Sequence, residues 1–341
     1  MPFIEELLRH RSVAIVGLAK NTGKTVCLNY VLQRLNQLKA SVAVTSIGVD
    51  GEGTDRVTQT PKPSITLYPG MTFVTSETHY NGRKLLSEIT HLSRETTSLG
   101  RLVTARVITQ GKCLLSGPAQ TAQIRALTAR MQRIGIQTTV VDGALSRLSL
   151  ASPAVTDGMV LATGAAYSTN LPLLVQKTRF VKELIDLPQV SEAIQKELTG
   201  IESGVWAVSQ EGQAIDLNLQ SVLLAQKEKA NLLREGNRLY VSGVVSDSFL
   251  DMLRQQRKQV TLIVTDFSRV FVKPETFKAF LRGGNRIECL LKTKLLAVTV
   301  NPYAPSGYTL NSDLLCRKMQ EALQIPVYNI KQLSAQRGLT A

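Results

Sequence analysis

The chain has 341 residues, of which 43% are hydrophobic and 19% charged, with 40 Lys and Arg against 26 Asp and Glu for a formal net charge of +14. That length exceeds one small core and fits two domains of roughly 150 residues each. No apolar run approaches the roughly 20 residues of a membrane span, and the start, MPFIEELLRHRSVAIV, puts acidic residues ahead of a short apolar run and so does not read as a secretory signal. The excess positive charge favours acidic partners. It is spread along the chain with no Lys/Arg run longer than a pair, and aromatic residues are only 5%, so a solvated basic surface accounts for it better than a nucleic-acid face.

In chain order, FIEELLRH (3–10) reads as a short amphipathic helix and SVAIVGL (12–18) as a buried strand. VCLNYVLQRLNQLK (26–39) has helical apolar spacing, and SVAVTSIG (41–48) reads as a second buried strand. Strand, loop, helix and strand in this order are what a parallel sheet requires. From 53 to 118 the pattern suits short antiparallel hairpins at 64–69, 71–76, 101–108 and 112–117, with a helix at 82–93 between them. Regular alternation resumes with a helix at 119–134, strands at 138–144 and 157–166, and a helix near 170–186. Beyond it, strands are expected at 205–209, 238–245, 260–266, 287–302 and 325–331, and helices at 247–257, 274–282 and 309–323. The polar stretch 187–204, broken by Pro188 and Gly200, marks the boundary. The expectation is an α/β chain: a nucleotide-binding domain over 1–186 with a mainly parallel sheet and inserted β-hairpins, a linker over 187–204, and a second, smaller α/β accessory or partner-binding domain over 205–341.

Cys27, Cys113, Cys289 and Cys316 are far apart and form no CxxC, so no zinc site or disulfide framework is expected and a reducing cytoplasm is the expected compartment. His10, His79 and His91 are the only histidines, and none stands at metal-ligand spacing. Histidine-based catalysis is not expected.

The stretch VGLAKNTGKT (16–25) carries the chemistry. Five residues separate Gly17 from Gly23 where the strict phosphate-loop pattern has four. A loop between a strand and a helix presents backbone N–H groups and the positive end of a helix dipole, and both suit a phosphate chain. Gly17 would open the turn, Asn21 tolerates the left-handed conformation, and Thr22 and Gly23 complete the cradle. Lys24 would neutralise β- and γ-phosphates, and the Thr25 hydroxyl would hold Mg2+. Lys20 reads either as a phosphate or dimer contact or as a surface lysine. Carboxylates are expected at neighbouring strand ends. Asp50, with Glu52 and Asp55 after it, follows the second strand and would hold Mg2+ or orient a water; Asp142 ends TTVVD, where a carboxylate would support Mg2+. A turn or cap aspartate is the alternative at either place. Thr163-Gly164 ends the next strand and would border the nucleotide or simply turn, and Arg101 and Arg147 are further candidates for phosphate contact.

At these motifs the N-terminal domain resembles the dethiobiotin synthetase and cobyrinic acid amide synthase branch of P-loop NTPases. That branch also has five residues before GKT, and its V-E-G-A-G-G segment is similar to Val141-Asp142-Gly143-Ala144, although its two further glycines are Leu145 and Ser146 here. Its Lys-Pro pattern after the second strand is replaced by Ser46-Ile47-Gly48-Val49-Asp50-Gly51-Glu52. GLAKNTGKT, TSIG-x-DGE, VVDGAL-x-R and TDG-x-x-LATGAA together resemble the small-subunit family of the lysine aminomutase reactivase. NPYAPSGY resembles its tail. That resemblance implies an ATP-driven, Mg2+-dependent protein that, with a MutS-like ATPase subunit, restores a cobalamin- and pyridoxal-phosphate-dependent aminomutase; the branch also implies a homodimer around the nucleotide.

Three functions follow as alternatives: an ATPase that remodels a partner enzyme, with Lys24, Asp50 and Asp142 as its catalytic residues; an ATP-dependent ligase or amide synthase acting on a small carboxylate; or a binding module for nucleic acid. No N-K-x-D run points to GTP.

Overall fold

The computed structural model describes residues 3–48, 65–144, 156–222, 232–256 and 258–335. The described residues form two compact units, one made of those up to Arg179 together with those from Thr293 onward, the other of those in Phe180–Lys292.

The strands of the first unit are β1 (Ser12–Gly17), β2 (Val42–Ser46), β3 (Ile65–Leu67), β4 (Thr72–Ser76), β5 (Ser87–Thr97), β6 (Gly100–Val107), β7 (Gly111–Cys113), β8 (Thr138–Ala144) and β9 (Gly158–Gly164). The second unit carries β10 (Val205–Val208), β11 (Ala214–Leu219), β12 (Arg238–Val241), β13 (Val245–Ser246), β14 (Thr261–Val264), β15 (Val270–Phe271) and β16 (Arg286–Cys289). The chain then returns to the first unit with β17 (Lys294–Asn301) and β18 (Val327–Tyr328). The main sheet has nine strands in the order β18-β17-β9-β1-β8-β2-β4-β6-β5. Pairing is parallel from β18 to β4 and antiparallel at β4–β6 and β6–β5.

Helices cover both faces, which is why β1 and β2 are buried along their whole length and read as nearly unbroken apolar runs. Cys27, Leu28, Val31, Leu32 and Leu35 of the helix Lys24–Gln37 pack with Val13, Ile15, Val42, Val44, Val140 and Val160. One step along β8 reverses the face: Val141 packs with Ile47 and with Ile124 of the helix Thr121–Arg133. Leu127 and Met131 of that helix pack with Ala43, Val74 and Leu102.

The second unit is a five-stranded sheet, β11-β10-β12-β14-β16, with β12, β14 and β16 parallel and β10 antiparallel to both neighbours. It has its own core, in which Val190, Ile194 and Leu198 meet Val208, Tyr240, Ile263 and Leu290.

Three expectations are corrected. Residues 82–93 do not form a helix: a short helix spans Glu77–Asn81, and Ser87–Thr97 is the edge strand β5. Leu86, Ile89 and Leu92 have helical spacing, but pairing with β6 decides the backbone, and Leu86 and Ile89 are more than half exposed. The stretch 187–204 is not a linker, because the helix Glu192–Leu198 supplies Ile194 and Leu198 to the second core. Finally, 287–302 divides between units, β16 pairing with β14 and β17 with β9, so the described residues from Thr293 onward belong with the first unit rather than with a domain over 205–341.

Candidate functional site

From the carboxyl end of β1 the chain passes over β8 to reach β2, whereas from the carboxyl end of β9 it leaves for the second unit and returns as β17 on the other side. The two connections part between β1 and β9, the kind of position where open α/β sheets hold ligands.

The loop joining β1 to the helix Lys24–Gln37 sits there. Leu18 N–H donates to the Ala162 carbonyl at 2.9 Å, prolonging the β1–β9 pairing by one residue. The Thr22 hydroxyl donates to the Ala19 carbonyl at 2.8 Å and is buried, so it ties the loop to itself. A Cβ on Gly17 would lie 2.9 Å from that hydroxyl oxygen and 3.3 Å from the Ala19 carbonyl oxygen, which explains the glycine. Asn21 is left-handed with φ 61°, and Gly23, the helix N-cap, has φ 87°. The following first turn carries no acidic residue, so the helix itself supplies no carboxylate to its positive end. Thr25 lies in this turn and is partly exposed.

Lys24 Nζ is 2.8 Å from Asp142 Oδ1, with the two side chains 25% and 15% exposed. The buried Oδ1 thus has the lysine charge beside it, and no other hydrogen-bond partner of that oxygen is found among the described residues. Asp142 is placed by its backbone: it pairs with Ile15 of β1 and Ser46 of β2, and its carbonyl accepts from Ile47 N at 3.1 Å and Ser46 Oγ at 3.2 Å. Thus the structure brings Gly17, Asn21, Thr22, Gly23, Lys24, Thr25 and Asp142 to one end of the sheet. The expectations for Asp50, Glu52, Asp55 and Arg147 lie outside the described residues.

Arg101 is committed elsewhere, reaching Glu77 Oε1 at 2.8 Å. Thr163 turns its hydroxyl to Thr178 at 3.2 Å, and Gly164 lies against the Asn301 backbone. Below the loop, burial pushes the Cys27 thiol up to about 12 despite a hydrogen bond with Thr299. It stays a thiol at neutral pH and is no nucleophile.

Sequence reasoning missed Asn301. Its Nδ2 donates to the Asn21 carbonyl at 2.9 Å, and its Cβ is 3.2 Å from the point a Cβ on Gly23 would occupy. The only signal for it in the sequence is its place at the end of an apolar strand, ahead of PYAPSGY. Among the described residues no helix is long and apolar enough to cross a membrane.

Compared with protein-family models, with curated proteins and with solved structures, the chain matches none.

Proposed function

We propose that this chain is a P-loop NTPase of the dethiobiotin synthetase and amide synthase-like branch, binding Mg-ATP in the loop Gly17–Thr25. The observation that carries this reading is the meeting of Lys24 Nζ with Asp142 Oδ1 at 2.8 Å, beside a helix N-terminus and at the point where the sheet connections part. The residues present fit the group. Gly17 and Gly23 let the loop close tightly on Thr22 and Asn301, Lys24 supplies a cation at the first helical position, and the buried Asp142 Oδ1 has Lys24 Nζ beside it. Thr25 and Asp142 would hold the magnesium, which when bound offsets charge on the phosphates. Lys24 would exchange its carboxylate for phosphate oxygens, and Asp50, by its place after β2, would orient the attacking water.

The narrower reading is an ATPase that reactivates or remodels a cobalamin-dependent aminomutase, together with a MutS-like subunit. It rests on the resemblance carried by GLAKNTGKT, TSIGVDGE, VVDGALSR and TDGMVLATGAA. Binding and hydrolysis of ATP should require Mg2+ and fall at least about tenfold in Lys24→Ala, the scale of losing a charge-assisted phosphate contact. Equal binding by both proteins would remove Lys24 from the site. For the narrower reading, recovery of an inactivated aminomutase should need ATP, this chain and the MutS-like subunit together. ADP release that appears only with a small carboxylate would instead establish ligase chemistry.

A further inference from the structure

We propose that Asn301, at the end of β17, is a positioning residue for the phosphate cradle; this rests on the nucleotide reading of Gly17–Thr25. Its side-chain amide is oriented from both ends. Oδ1 accepts from Tyr303 N at 3.3 Å, and Nδ2 donates to the Asn21 carbonyl at 2.9 Å, so the donor side faces the loop. The residue itself is anchored, because its carbonyl accepts from Ala165 N at 2.9 Å and its Cα pairs with Gly164 of β9.

Two consequences fall on the loop. In a planar trans peptide the carbonyl and the following N–H point in opposite directions. Holding the Asn21 carbonyl on Asn301 therefore fixes where the Thr22 N–H is aimed. Asn21 also occupies a conformation that non-glycine residues rarely adopt, at φ 61°, and such a residue keeps it only where its surroundings hold it. The second consequence is steric. Asn301 Cβ covers the bare Cα of Gly23, so the asparagine and the glycine are complementary shapes, and a Cβ at 23 would crowd the asparagine as well as strain the backbone. A neutral amide suits this place: it donates to a carbonyl without setting a negative charge beside the phosphates.

The test compares native protein, Asn301→Leu, Asn301→Asp and Lys24→Ala in binding Mg-ATP and inorganic tripolyphosphate, with melting temperature and circular dichroism as controls. Tripolyphosphate has no base or sugar, so it reports the cradle alone. Both Asn301 variants should stay folded and lose about five- to tenfold in affinity for both ligands alike, the scale of one hydrogen bond. The deficit of Asn301→Asp should narrow as pH falls, because the protonated carboxyl donates to the Asn21 carbonyl again; a merely structural asparagine gives no such profile. Should Asn301→Leu fail to fold, the pH series on Asn301→Asp decides alone. Native affinity in the Asn301 variants while Lys24→Ala is impaired would overturn the proposal and leave the nucleotide site standing. Loss confined to ATP would also overturn it, since the side chain would then meet the base and not shape the cradle. If the native protein bound neither ligand, the nucleotide reading would fall and this inference with it.

Discussion

A carbon added to Gly164 would lie 2.1 Å from the Asn301 carbonyl oxygen and under 3 Å from its carbonyl carbon and its amide nitrogen. Backbone cannot move aside as a flexible side chain can, so Gly164→Ala must part β9 from β17 where Asn301 is anchored. Overpacking of this kind costs about 1–3 kcal/mol. The expected outcome is a lower melting temperature together with weaker tripolyphosphate binding, and a variant as stable as the native protein would show that the strands separate freely. Most of the candidate site was legible at this scale because its parts are local. Gly17, Gly23, Lys24 and Thr25 lie within nine consecutive residues, and Asp142 closes an apolar strand. Asn301 was not legible, because its partner Asn21 is 280 positions away and nothing in NPYAPSGY names it. Gly164 likewise read as bordering a nucleotide or simply turning, and its reason is a neighbouring strand that only the fold supplies.

Among the elements, the hairpin β5–β6 shows how pairing overrides local spacing. Leu86, Ile89 and Leu92 form a helix-like stripe in the sequence, yet they lie at the sheet edge, where β5 has only β6 as partner. Two register shifts, between Ile89 and His91 and between Leu92 and Thr96, break the regularity of this long edge, a device that blunts pairing with other chains. The hairpin turn is fastened to the helix Glu77–Asn81 by Arg101, whose guanidinium and backbone N–H both donate to the Glu77 carboxylate. Those hydrogen bonds hold the Glu77 carboxyl below its ordinary value of 4.5. A carboxyl depressed in the folded state contributes stability that is complete above its unfolded value and lost as pH falls through its folded one. Native protein should therefore lose stability below about pH 4.5 more steeply than Arg101→Leu, compared by chemical denaturation across an acid series; parallel curves would show that the exposed pair contributes nothing. The strands β1, β2, β8 and β9 and the helices packed on them were legible, since two buried faces leave an apolar run and one buried face leaves a helical stripe.

For the molecule as a whole, the sequence showed two α/β bodies but not how the chain is divided between them. A strand's pattern records how deeply it is buried and not which sheet buries it. IECLLKTKLLAVTVNP reads as one strand-rich stretch, yet β16 completes one sheet and β17 enters the other. A chain ended at Lys292 lacks β17 and β18 and leaves one side of β9 unpaired. Its first unit should lose cooperative unfolding and phosphate binding, while Phe180–Lys292 keeps a core of its own; calorimetry showing two intact transitions in the truncated chain would contradict this. The same division sets a schedule during synthesis. β9 is complete at Gly164, but its neighbour β17 spans Lys294–Asn301, so at ribosomal rates of about 5–20 residues per second the gap lasts on the order of ten seconds. The second unit, nearly continuous in sequence, has time to fold within that gap, while β9 waits with an open parallel edge. A nascent chain of this design holds the loop Gly17–Thr25 without the Asn301 amide that fastens its Asn21 carbonyl until β17 has been made.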